Sequence, residues 1–124
     1  MAQPNVWRGG RAKNLLLITL LCALVVCVRS ATRIQTCGGC SFWKDANGVL
    51  SRTGSCENGC STLSLSYKGI VSIANGTFDG MPKMEELYLS YNALTSLPAD
   101  AFKFNTALRY LSLYDNALTS LPAD

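Results

Sequence analysis

The chain has 124 residues, room for one small domain, with eleven Lys and Arg against eight Asp and Glu and no histidine. Without histidine no Ser-His-Asp or Cys-His catalytic arrangement is possible, and no glycine-rich phosphate loop is present. The formal charge of +3 is concentrated near the N-terminus, whereas a nucleic-acid footprint would need Lys and Arg clustered on a folded domain.

Met1 to Asn14 carries Arg8, Arg11 and Lys13 and no acidic residue. An apolar run follows from Leu15 to Val28, broken only by Thr19, and then Arg29-Ser30-Ala31. A basic start, a short apolar core and a small-residue cleavage site make a secretory signal peptide. Cleavage is expected after Ser30. A membrane-spanning helix needs about 20 apolar residues, and this run has 14 positions, so membrane attachment would require an uncleaved signal or an anchor beyond the C-terminus. Removing residues 1–30 takes four of the eleven basic residues (Arg8, Arg11, Lys13, Arg29) and leaves seven positive against eight negative side chains. The mature chain is close to neutral, and nucleic acid is not an expected partner.

Cys22 and Cys27 leave with the signal, while Cys37, Cys40, Cys56 and Cys60 remain. An even number of cysteines in an exported chain favours two disulfides, with three connectivities open. The spacing comes near a zinc pattern, but the second pair is one residue wide and export favours oxidation, so no metal is expected. Cys37-Gly38-Gly39-Cys40 lacks the βαβ surroundings of a redox pair.

From residue 60 the chain repeats at a period of 24. Asn92 to Asp100 and Asn116 to Asp124 both read NALTSLPAD. Upstream, Met84, Leu87, Leu89, Leu94 and Leu97 align with Leu108, Leu111, Leu113, Leu118 and Leu121. A weaker copy places Cys60, Leu63, Leu65, Ile70, Ile73 and Phe78 one period earlier, with Lys68 where the later copies have asparagine. The pattern is L-x-x-L-x-L-x-x-N-x-L, a leucine-rich repeat. Its L-x-L centre alternates as a strand does, so Leu87 and Leu89 face one way and Glu86, Tyr88 and Ser90 the other. Leu87, Leu94 and Leu97 alone would also suit an amphipathic helix, but the recurring proline and the 24-residue period oppose it. Asn92 and Asn116 are expected to satisfy the backbone where the chain turns off the sheet. Phe78 and Phe102 are expected to fill the space behind it.

Residues 60–124 thus resemble extracellular leucine-rich-repeat proteins, and residues 31–59 resemble the cysteine-rich cap that closes such arrays at the N-terminal end. The spacing C-x2-C, fifteen residues, C-x3-C departs from the tighter cluster commonest in animal members. The resemblance implies an α/β-type leucine-rich-repeat solenoid, with a short parallel β-sheet, a loop or 3-10 convex side and a disulfide-bonded N-terminal cap. It also implies a non-enzymatic recognition module, without cofactor, binding a protein, glycan or microbial ligand, free or as the start of a receptor ectodomain. A secreted structural or enzyme-inhibitory matrix component is the alternative.

The expected ligand surface is the concave face. Thr62, Ser64, Ser66 and Tyr67 would contribute from the first turn, Glu86, Tyr88, Ser90 and Tyr91 from the second, and Tyr110, Ser112, Tyr114 and Asp115 from the third. Tyrosine supplies rigid amphipathic area and serine supplies hydrogen bonding. Glu85 and Glu86 should point to opposite faces of their strand and do not make a catalytic pair. Asn75-Gly76-Thr77 is an N-glycosylation acceptor on the return segment of the first repeat. Asp124 falls two residues short of the Phe102 equivalent, so the array is expected to be incomplete and marginal in isolation.

Overall fold

In the computed structural model, residues 31–122 are described; the expected signal peptide and the Asp124 position both lie outside them. Among the described residues seven strands occur in chain order: β1 (Thr32–Cys37), β2 (Cys40–Lys44), β3 (Val49–Thr53), β4 (Thr62–Ser64), β5 (Ser72–Ile73), β6 (Glu86–Tyr88) and β7 (Tyr110–Ser112). They form two sheets, one ordered β1-β2-β3-β5 and the other β4-β6-β7.

The first sheet begins as a hairpin. Gly38 and Gly39 form its two-residue loop with φ of 58° and 94°, the left-handed pair that the strand twist requires. A side chain at Gly38 would place Cβ 2.7 Å from the backbone nitrogen of Cys60, so glycine is also needed for close approach. Ile34 is the extra residue at an irregularity between the Arg33–Trp43 and Gln35–Phe42 pairs. Between β2 and β3, the Asp45 carboxylate accepts bonds from the backbone of Asn47 and Val49, both at 2.9 Å. That is an Asx turn, and it sets the antiparallel register of the two strands.

The fourth strand of this sheet belongs to the first repeat. β5 runs parallel to β3, pairing Val49 with Ser72 and Leu50 with Ile73. The cap region 31–59 is therefore hydrogen-bonded to the return segment of the repeat that follows it.

The second sheet is parallel and in exact 24-residue register, Thr62–Glu86–Tyr110, Leu63–Leu87–Leu111 and Ser64–Tyr88–Ser112. Bonding continues past the strands, with the Leu65 and Leu89 amides donating to the Tyr88 and Ser112 carbonyls at 2.8 Å. Behind it, Leu63, Leu65, Met84, Leu87, Leu89 and Leu94 are fully buried. The third-turn equivalents Leu108, Leu111, Leu113 and Leu118 are partly buried against this core. At about 25 cal/mol per Å² of apolar surface removed from water, this continuous layer is the main stabilising term.

Of the loop or 3-10 segments expected on the return side, the structure has loop: the described residues contain neither α nor 3-10 helix. The return segments are chains of separate turns, with i to i+3 bonds at Thr77–Ala74, Asp79–Gly76, Ala101–Pro98 and Asn105–Phe102. Proline at 98 and glycines at 76 and 80 break any helical run. Phe78 and Phe102 do fill the space behind the sheet, their rings 5.7 Å apart. Phe42 of the cap extends the same column, 6.4 Å from Phe78.

Candidate functional site: a tyrosine and serine face on the parallel sheet

The asparagines hold the turns from which the face projects. Asn92 Oδ1 accepts from the backbone of Lys68 and Ile70 at 3.0 and 3.1 Å, and its Nδ2 donates to the Leu65 and Leu89 carbonyls at 2.9 Å. Asn116 repeats the arrangement one turn on, accepting from Leu94 and donating to Leu89 and Leu113. Each asparagine thus serves its own turn and the turn before it. Lys68 needs no such amide because the cap precedes it; its carbonyl accepts from Lys44 Nζ at 2.7 Å.

Immediately before this position, Tyr67, Tyr91 and Asp115 take the left-handed conformation, with φ of 58°, 55° and 55°. Non-glycine residues adopt it rarely; Tyr91 and Asp115 are followed by the bonded asparagines Asn92 and Asn116, and after Tyr67 the Lys68 amide donates to Asn92 of the next turn. The result throws the three side chains outward at the edge of the sheet.

All five tyrosines lie on this face in two contacting groups. Tyr67 and Tyr91 stack with centroids 4.4 Å apart and planes 11° from parallel, and Tyr91 meets Tyr114 edge-on at 5.5 Å. Tyr88 and Tyr110 pack at 5.3 Å. Tyr67 and Tyr114 remain 72% and 70% exposed despite these contacts, so their ring area is available to a partner. The Tyr88 hydroxyl donates to Glu86 at 2.9 Å. That bond, followed by desolvation, raises the Tyr88 phenol above the usual tyrosine value.

The remaining expected residues divide by exposure. Ser64 is exposed, while Ser66 and Ser112 are half-buried. Ser90 is buried and hydrogen-bonds Ser112, so its hydroxyl ties two turns together. Asp115 is exposed beside Tyr114. The exposed and half-exposed surface is tyrosine-rich and carries Glu86 and Asp115.

The four cysteines among the described residues are in disulfides, Cys37 with Cys60 and Cys40 with Cys56, at Cα separations of 5.2 and 4.9 Å. The pairs are nested, and the outer one joins β1 to the residue that opens the first repeat. Asn75 is exposed at a turn, while Thr77 of the same motif is buried and donates to the Ala74 carbonyl at 2.7 Å.

Two structural residues were not singled out from the sequence. Phe42 carries the phenylalanine column into the cap. Asn105 is buried and donates to the Phe78 and Met81 carbonyls at 2.8 and 3.2 Å, a second asparagine tie on the return side. The repeat does not mark it, since Met81 stands three residues beyond Phe78 where Asn105 stands beyond Phe102.

A parallel sheet in 24-residue register, with leucines inward and an asparagine at each turn, defines a leucine-rich-repeat architecture. The sequence profile of the leucine rich repeat family matches residues 60–123, and the chain belongs to that family. No curated protein matches the chain. Domains of this family are generally non-enzymatic modules that bind proteins.

Proposed function

We propose that this chain is a secreted or cell-surface recognition protein that binds a protein ligand through its tyrosine and serine face. It acts free or as the first part of a receptor ectodomain. The observation that carries the reading is the gathering of Tyr67, Tyr88, Tyr91, Tyr110 and Tyr114 on one face, partly pre-ordered by ring contacts. Ordered aromatic rings lose little entropy on binding, and tyrosine is enriched among residues that dominate binding energy. Ser64, Ser66 and Ser112 supply hydrogen bonds between the rings, and Glu86, Tyr110 and Asp115 give the face its polar rim. Ser90 ties two of its turns together.

Export is supported by the basic and apolar N-terminal pattern with a small-residue site at Ser30. Two disulfides in a small domain accord with an oxidising compartment. In that route Asn75 carries an N-linked glycan, on the return side and away from the tyrosine face. The test is expression in a eukaryotic secretory host, followed by binding of the product to an array of purified ectodomains and secreted proteins. A specific hit lost on Tyr88→Ala and Tyr114→Ala, with unchanged melting, supports the reading. A hit that both substitutions leave unaltered contradicts it.

A further inference from the structure

A cleft of about 360 Å³ lies between the return segments of the first and second repeats, and Asn75 is one of its walls. Its volume falls in the range of about 300–1,000 Å³ typical of small-ligand sites. Asp79 borders it from the first repeat, and Pro98, Asp100, Lys103 and Phe104 from the second. Phe104 is 53% exposed, an aromatic ring left in solvent on the return segment of the second repeat. Lys103 Nζ lies 5.7 Å from the centre of that ring and helps fix it at the rim.

Asn75 stands at the corner of a well-anchored turn. The Thr77 amide donates to the Ala74 carbonyl at 3.3 Å, and the Thr77 hydroxyl donates to both Ala74 and Leu50. Gly76, with φ of 77°, completes the corner. The backbone from which the Asn75 side chain projects, at the wall of the cleft, is therefore held in place.

We infer that this cleft is the seat of the first N-acetylglucosamine of a glycan attached to Asn75, packed against Phe104. The inference rests on the glycosylation proposed above. An apolar ring and proline beside two carboxylates and an ammonium suit a pyranose, which presents an apolar C–H face and a rim of hydroxyl and amide groups. The lining thus matches both halves of the sugar's surface. Covalent attachment supplies the remaining requirement, because a short tether gives an effective concentration on the order of millimolar. Contacts too weak to retain a free sugar then suffice. The seated sugar bridges two repeats and covers an otherwise exposed aromatic side chain.

The test uses the full chain expressed in a eukaryotic secretory host with 13C-labelled sugars. Loss of one glycan mass on treatment with peptide N-glycosidase, mapped to Asn75, establishes occupancy. No mass loss overturns the glycosylation reading, and this inference with it. The occupied protein is then trimmed by endoglycosidase H to one N-acetylglucosamine, and the sugar's proton shifts are read by NMR. The account expects upfield ring-current shifts that disappear in Phe104→Leu, and a melting temperature that falls on complete deglycosylation in wild type but not in the variant. Sugar shifts identical in wild type and Phe104→Leu, on protein shown to be occupied, overturn the seat alone.

Discussion

Tyr67 and Tyr91 stand one period apart in the sequence, and their rings stack at 4.4 Å with planes 11° from parallel. Both residues hold the left-handed backbone conformation, so the repeat copies a strained turn and a ring orientation together. Offset ring pairs contribute about 0.5–1.5 kcal/mol beyond area burial. A double-mutant cycle of Tyr67→Ala and Tyr91→Ala, followed by urea unfolding, should give a coupling near the lower end of that range because Tyr67 is exposed. Strict additivity would mean that the rings are not pre-ordered in solution.

Asn92 carries more backbone than any other side chain on the described residues' turns. Its removal in Asn92→Ala leaves several buried amide and carbonyl groups without partners, each costing about 1–3 kcal/mol. We expect a loss of at least about 3 kcal/mol for Asn92→Ala, a smaller one for Asn116→Ala, and little for Lys68→Ala. Chemical denaturation of the three variants checks the order. Equal losses at 92 and 68 would contradict the one-turn-back bonding.

The Glu86 carboxylate stabilises the neutral Tyr88 phenol. The phenol's folded value is raised, so this contribution is present below the ordinary tyrosine value and lost as pH rises through the raised one. Ultraviolet titration of tyrosine ionisation should resolve two late-titrating groups, Tyr88 and the partly desolvated Tyr67, and Glu86→Gln should move only the Tyr88 ionisation earlier. A titration curve unaltered by Glu86→Gln would show that the bond does not persist in solution.

Peptide mapping under non-reducing conditions should recover Cys37 linked to Cys60 and Cys40 linked to Cys56. Loops of these lengths stabilise by roughly 3 kcal/mol each in the chain-entropy account. Replacing either pair with alanines should lower the unfolding midpoint in urea. Recovery of Cys37 linked to Cys40 would contradict the nested arrangement.

Much of this was legible in the sequence for a physical reason. Leu87, Leu89 and Asn92 recur because each turn must bury the same side chains and satisfy the same backbone, so period and register follow from residue identity. The cap was less legible. Cysteine count gave two disulfides but not their partners, which depend on the hairpin at Gly38-Gly39; that Gly-Gly pair is itself a hairpin signal. The pairing of β5 with β3 joins residues over 20 apart without any repeated motif, and nothing local encodes it. Alternation predicted that Ser90 would be exposed on the outward face, yet it is buried, its hydroxyl hydrogen-bonded to that of Ser112 on the next turn. The return segments form turns rather than helix because Pro98, Gly76 and Gly80 override their spacing.

The central claim is that the tyrosine face binds a protein partner. Its most direct measurement is the dissociation constant for an ectodomain identified on the array, measured by surface plasmon resonance with wild type, Tyr88→Ala, Tyr114→Ala and the remote Lys83→Ala. Truncating a central aromatic anchor costs about 2 kcal/mol or more, so each tyrosine variant should bind at least about 30-fold more weakly, with Lys83→Ala unchanged. Affinities equal across all four proteins, with melting temperatures also equal, would place the ligand elsewhere and contradict the account.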